Sequence, residues 1–115
     1  DLKRCLDRLV TASGVQLALM TDRQGFLVET AGRLDADLDL LGAMASCLAE
    51  ASAELGTRLG QGAARGLTVE HERGLALVHP VNHAAILTVV LRDPAELAKA
   101  RYHVQRVLPE LARAL

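Results

Sequence analysis

Leu17-Ala18-Leu19-Met20-Thr21-Asp22-Arg23-Gln24-Gly25-Phe26-Leu27-Val28 is the stretch that decides the fold. Val15 to Thr21 reads as a strand, with Val15, Leu17 and Leu19 on one side and Gln16, Ala18 and Met20 on the other. Asp22 to Gly25 is a hairpin loop, with glycine where a positive φ is wanted. Phe26 to Thr30 returns as the second strand. A hairpin here predicts an antiparallel sheet, and the flanking segments must supply its cover. Upstream, Leu2, Cys5, Leu6, Leu9 and Val10 recur at the spacing of an amphipathic helix, which Gly14 ends. The chain opens inside that helix, which leaves room for a segment before Asp1.

Downstream, Ala31 to Asp35 connects to a long helix expected from about Ala36 to Leu59. Asp35, Asp37 and Asp39 surround its first turn, where carboxylates cap free amides and favour the helix dipole. Gly60-Gln61-Gly62 stops it. Leu67 to Glu72 and Leu75 to Val81 read as strands joined by a tight turn at Glu72-Arg73-Gly74, and Asn82-His83 makes another turn. Ala84 to Leu91 is apolar on both faces, as a central strand covered on both sides should be. Asp93-Pro94-Ala95-Glu96 opens a last helix with an N-cap, a proline at the first position and a glutamate able to close a capping box. Leu97, Ala100, Val104, Val107, Leu108, Leu111 and Leu115 line one face of that helix, and Pro109 is expected to kink or interrupt it. The fold class is therefore α+β: a five-stranded antiparallel sheet with helices packed on it, in the order α-β-β-α-β-β-β-α. No repeat or linker breaks residues 1–115, which read as one domain.

The chain has 115 residues, enough for one core without a metal or disulfide. Phe26 and Tyr102 are its only aromatic residues, so leucine, valine, isoleucine and alanine must fill that core. Thirteen basic and fourteen acidic side chains give a formal charge of −1, and the basic ones form no run along the sequence. Nucleic acid is therefore not an expected partner. Ala84 to Leu91 is the longest apolar run and is far short of the roughly 20 residues of a membrane span, so no membrane insertion is expected. No secretory leader pattern is visible. Cys5 and Cys47 read as two buried thiols in a reducing, cytoplasmic compartment.

The middle helix carries more apolar surface than one sheet can use. Leu41, Met44, Ala45, Leu48, Leu55 and Leu59, with Ser52 among them, form one stripe, read as the side that covers the sheet. Leu40, Ala43, Cys47 and Ala51 form a second row beside it. Its polar strip (Asp39, Ser46, Glu50, Glu54, Thr57) is narrower than a solvated half. Another helix of the same chain would be one cover for the second row; a helix of a second copy is the reading favoured here, because a symmetric pair is self-complementary. Leu67 to Glu72 is expected at a sheet edge, open to strand addition. The candidate self-association surface is thus Leu40, Ala43, Met44, Cys47, Leu48 and Ala51 on the helix with Leu67, Val69 and His71 on the strand.

Reactive chemistry is sparse. Gly56, Gly60 and Gly62 are followed by no Lys-Ser or Lys-Thr, so no phosphate-binding loop is present, and no dinucleotide fingerprint occurs. His71, His79 and His83 fall on neighbouring strand segments, but their spacing matches no metal motif. Cys47 sits mid-helix in an alanine-rich row, a setting that does not activate a thiol nucleophile. Ser13, Ser46 and Ser52 lie in no nucleophile elbow. No catalytic residue, cofactor or metal is assigned.

The element order and several strings resemble the Roadblock/dynein light chain family in its short bacterial, MglB-like form. The carrying strings are Leu17 to Val28, the acidic opening and small residues of Asp37-Leu38-Asp39-Leu40-Leu41-Gly42-Ala43-Met44-Ala45, the strand and turn Leu67 to Gly74, and Ile86 to Leu91. The resemblance implies a profilin-like Roadblock fold and homo- or heterodimers made through the middle helix and its neighbouring edge strand. It also implies a cytoplasmic platform for a small Ras-like GTPase or an adaptor in a larger assembly, with a paralogous Roadblock protein as another possible partner. A small-molecule sensor is a further alternative, since sensor domains share this layered build.

Overall fold

The computed structural model describes residues 1–12 and 14–115. Ser13, discussed above as a serine outside any nucleophile elbow, lies outside the described residues. The elements are α1 (Leu2–Ala12), β1 (Val15–Asp22), β2 (Leu27–Gly32), α2 (Leu38–Arg58), β3 (Leu67–His71), β4 (Gly74–Pro80), β5 (Ala85–Leu91) and α3 (Leu97–Arg113), with a 3-10 turn at Pro94–Glu96. This is the expected order, and the strands form one antiparallel sheet in the order β2-β1-β5-β4-β3. β5 is central and buried on both faces, as its unbroken apolar run required.

Local chemistry explains the joints. The Asp22 carboxylate accepts from the backbone amides of Gln24 (2.9 Å) and Phe26 (3.0 Å) and closes the β1–β2 turn. Asp37 caps α2 by accepting from the Leu40 amide at 3.2 Å. Asp93 caps the 3-10 turn, not α3 directly, by accepting from the Ala95 amide at 2.9 Å. α3 runs through Pro109 without the expected interruption.

The two faces of the sheet are covered differently. α1 and α3 lie together on one face, where Cys5, Leu6, Leu9, Val104 and Leu111 pack on Ala18, Met20, Leu77, Leu87 and Val89. α2 alone covers the other face, where Ala45 and Ala49 meet Val78 and Ile86.

The orientation of α2 corrects the sequence expectation. Its sheet-facing residues are the small ones, Gly42, Ala45 and Ala49. Of the stripe read above as sheet cover, Ala45 does face the sheet, Leu41 and Ser52 are half-buried, and Met44, Leu48, Leu55 and Leu59 are turned outward. The reason is a close approach of two backbones: a Cβ on Gly42 would sit 2.5 Å from the Gly25 carbonyl oxygen, and one on Gly25 would sit 2.7 Å from that of Gly42. Gly25 also holds a φ of 96°, which favours glycine in its own right. Ser46 fixes the same contact by donating to the Arg23 carbonyl at 2.6 Å. A helix held this close to its sheet has room only for small side chains on the inner face.

Candidate protein-interaction surface

The outward face of α2 is an apolar ridge. Leu40 is 56% exposed, Met44 54%, Leu48 38%, Leu55 60% and Leu59 57%. Ala43, Cys47 and Ala51 are exposed beside them. Every predicted helix residue of the association surface is therefore on the surface, including Cys47, which is not the buried thiol expected from its apolar row. Cys5 is buried, as expected. Leu55 and Leu59 belong to the same outward surface and were missed, while Leu41 is half-buried at its margin. The glycine and two alanines at positions 42, 45 and 49 were the available signal, because a glycine inside a helix often marks a close backbone approach.

β3 is the sheet edge on the side toward which this ridge leans. Leu67 and Val69 are half-buried on the α2 face, and His71 is exposed. A groove of about 480 Å³ lies between α2 and this end of the sheet, lined in part by Leu34, Leu41, Ala76 and Val90. The single helix leaves this part of the sheet uncovered.

The two sheet edges are not equivalent. On β2, the register slips between Met20 and Thr21, so that Val28 is an extra, bulged residue. Lys3 also donates to the Thr30 carbonyl there at 2.7 Å. Bulges and lysines are the usual protection of an edge against further pairing. β3 pairs with β4 in an unbroken register from Leu67↔Val78 to His71↔Gly74 and carries no lysine. Of the two edges, β3 is the one open to another strand.

Below α2, the hydroxyls of Thr21 and Thr88 are buried without a hydrogen-bond partner. On the opposite face, burial pushes the His79 imidazole below its ordinary range, the nearby Arg101 adding to the effect. Its Nδ1 lies 3.1 Å from the Arg65 carbonyl, a contact that opposes that shift. Among the described residues, no group of three or more His, Cys, Asp or Glu is placed to hold a metal ion. Among the described residues, no helix is long and apolar enough to cross a membrane.

The Roadblock/LC7 domain matches residues 2–91, from the start of α1 to the end of β5. The chain belongs to the Roadblock/LC7 family. Among solved structures, the gliding protein MglB of Thermus thermophilus is similar over 96% of this chain and 84% of that one, at 28% identity and a TM-score of 0.86. MglB of Myxococcus xanthus is similar over 98% and 93% of the two chains, at 18% identity and a TM-score of 0.92. A Roadblock/LC7 domain from Streptomyces avermitilis is similar over 99% and 97%, at 22% identity and a TM-score of 0.89. The latter two likenesses are of fold. No curated protein matches the sequence. The fold expected from the resemblance, a Roadblock sheet in the order α-β-β-α-β-β-β-α, is the one observed.

Proposed function

We propose that this Roadblock domain is a non-catalytic platform that pairs with a second copy of itself and regulates or scaffolds a small Ras-like GTPase. The observation that carries the pairing is the exposed ridge from Leu40 to Leu59 lying next to the unprotected β3 edge. Contiguous apolar surface of this kind marks an interface. Two copies related by a two-fold axis would lay their α2 ridges side by side and run their β3 strands together, so that the groove at Leu41, Ala76 and Val90 receives the partner's ridge. The interface then comprises Leu40, Ala43, Met44, Cys47, Leu48, Ala51, Leu67, Val69 and His71, with Leu41, Leu55 and Leu59 added from the geometry. One MglB structure similar to this chain, at 28% identity, has a tetrameric arrangement, which supports self-association as a property to test here.

The GTPase is supported by family membership and by the likeness to gliding-protein MglB. A platform of this kind acts by holding the GTPase's own phosphate-contacting groups in place, which requires complementary surfaces and no inserted catalytic group. The test is a pull-down with a small GTPase encoded in the same genome, loaded with GTP or GDP. Preferential capture of one form is expected. Equal capture of both forms leaves an adaptor that does not sense nucleotide, and no capture removes the GTPase from the proposal.

A further inference from the structure

We infer that the two β3 strands of a pair meet in one register, centred on Val69, which sets Arg101 of each protomer beside the partner's Glu70. The inference rests on the pairing proposed above and adds what selects the partner: complementary charge along the α1–α3 side of the shared edge.

Residues directly opposite each other in an antiparallel pair point to the same face of the sheet. Leu67 and Val69 stand opposite Val78 and Ala76 on the α2 face. Thr68 and Glu70 stand opposite Leu77 and Leu75, which pack beneath α1 and α3. A two-fold axis that lays the α2 ridges side by side must therefore match odd-numbered residues of β3 with odd and even with even. Axes at Thr68, Val69 and Glu70 are the choices that overlap the strands by three residues or more. An axis at Glu70 sets that carboxylate against its own copy, and like charges directly opposite destabilise a pair. An axis at Thr68 carries Glu70 and His71 past the end of the partner strand. An axis at Val69 uses all five residues, with Leu67 opposite His71 and Thr68 opposite Glu70.

The central register also gives two unpaired charges a partner. Arg101, on α3, donates to the Thr68 hydroxyl at 2.8 Å. That bond seats an exposed guanidinium at the edge strand without neutralising it. Glu70 is exposed on the same strand. Neither Arg101 nor Glu70 forms an ion pair among the described residues. Neighbouring strands lie about 4.8 Å apart and opposite β-carbons about 5 Å apart, within reach of a glutamate side chain. With Thr68 opposite the partner's Glu70, that carboxylate meets the guanidinium already held at Thr68. The two-fold axis makes the contact twice.

The selecting charges come from two elements, one from the strand and one from the helix that overhangs it. A strand of other origin finds the same open backbone on β3, but it must place an acidic residue opposite Thr68 to engage Arg101 and a basic group beside Glu70. A second copy meets both requirements at once. Exposed ion pairs are individually weak. This contact therefore sets register and choice of partner, while the leucine ridge supplies the affinity.

Charge exchange tests this. Glu70→Lys and Arg101→Glu, taken singly, each turn two attractions into two repulsions. Each should raise the dissociation constant of its own pair about tenfold or more at about 0.02 M salt. The difference should shrink at about 0.5 M salt, because screening shortens from about 20 Å to about 4 Å. Mixed, the two variants should pair with each other in preference to themselves, read by fluorescence-detected sedimentation with one chain labelled. The chain carrying both changes should pair with itself about as tightly as wild type and should avoid wild type. Rescue by mixing cannot come from a contact within one chain or from a folding defect. Arg106→Glu makes the same charge change as Arg101→Glu on the side of α3 toward α1, and it should pair like wild type. Single variants that pair like wild type, or a mixture without preference, overturn the register and leave the ridge-and-edge pairing in place. Equal weakening by Arg106→Glu overturns it as an effect of net charge alone. Wild type that is monomeric at micromolar concentration removes the pairing itself, and the register with it.

Discussion

Leu55→Ala is the substitution that most directly separates the outward ridge from an ordinary surface helix. Full burial of a leucine is worth about 1.5–3 kcal/mol. Leu55 is 60% exposed in the isolated chain, so pairing has about 1–2 kcal/mol of its transfer free energy left to recover. A two-fold axis places each ridge residue in the interface twice, and truncation then weakens the pair by about 2–4 kcal/mol. At about 1.4 kcal/mol per tenfold, the dissociation constant rises roughly 30-fold to several hundred-fold. The stability of the separate protomer should change by about 0.5 kcal/mol or less, because the side chain is mostly in water there. Sedimentation equilibrium over a dilution series reads the first quantity, and denaturant unfolding of dilute protein reads the second. Phe26→Ala is the control: Phe26 is 72% exposed but adjoins the guarded β2 edge, so its removal should leave pairing intact. The reasoning is refuted if Phe26→Ala weakens association as much as Leu55→Ala, if Leu55→Ala does nothing, or if wild type is monomeric at micromolar concentration.

Three further outcomes are expected. His79 has a folded-state pKa held below its unfolded value, so the unfolded chain binds a proton first; stability should therefore fall as pH drops below about 6.5, the ordinary value. Thermal melts of His79→Gln between about pH 7 and about pH 5.5 should lose that slope, and an unchanged slope would place its origin elsewhere. Thr88→Val removes a buried hydroxyl that has no partner and should stabilise by about 1 kcal/mol, read as a rise of a few degrees in Tm; a fall would mean that the hydroxyl is satisfied in solution. Cys47 should react with a maleimide in dilute native protein and become protected as concentration brings copies together, whereas Cys5 should react only after unfolding. Concentration-independent labelling of Cys47 would take it out of the interface.

Much of this fold was legible because local signals agreed with one another. The Asp22–Gly25 turn, the caps at Asp37 and Asp93, and the unbroken apolar run of β5 each determine a local geometry with little tertiary help. The facing of α2 was not legible from hydrophobic period alone. Periodicity assigns the largest apolar stripe to the core, but here Gly25 and Gly42 bring helix and sheet too close for leucines to fit between them. That misassignment also left Leu55 out of the expected association surface, while Cys47 was read as buried from its own apolar row. Pro109 failed as a helix stop because it costs one backbone hydrogen bond, while Val104, Val107 and Leu111 hold the surrounding turns against the sheet. The basic residues of α1 and α3 were not legible as one group either, because most of the chain separates them and only folding gathers them into one layer.

The unequal cover of the two sheet faces ties the proposed pairing to the integrity of the domain. On the α1–α3 face, large side chains such as Leu6, Val104 and Leu111 are fully buried and need nothing from outside. On the α2 face, the helix meets the sheet through Gly42, Ala45 and Ala49, which bring little apolar area of their own. The area that would ordinarily seat such a helix is displaced to its outer side, where Leu48 and Leu55 cannot reach the sheet beneath them. In the proposed pairing, a second copy would supply what the protomer lacks, a surface for those leucines and a cover for the groove at Ala76 and Val90. By mass action, whatever binds that surface stabilises the seating of α2 as well. Larger residues at positions 42 and 45 would lift the helix and strain the protomer without reproducing the ridge. The small-residue row and the exposed leucines are therefore two consequences of one geometry, and neither is expected to change without the other.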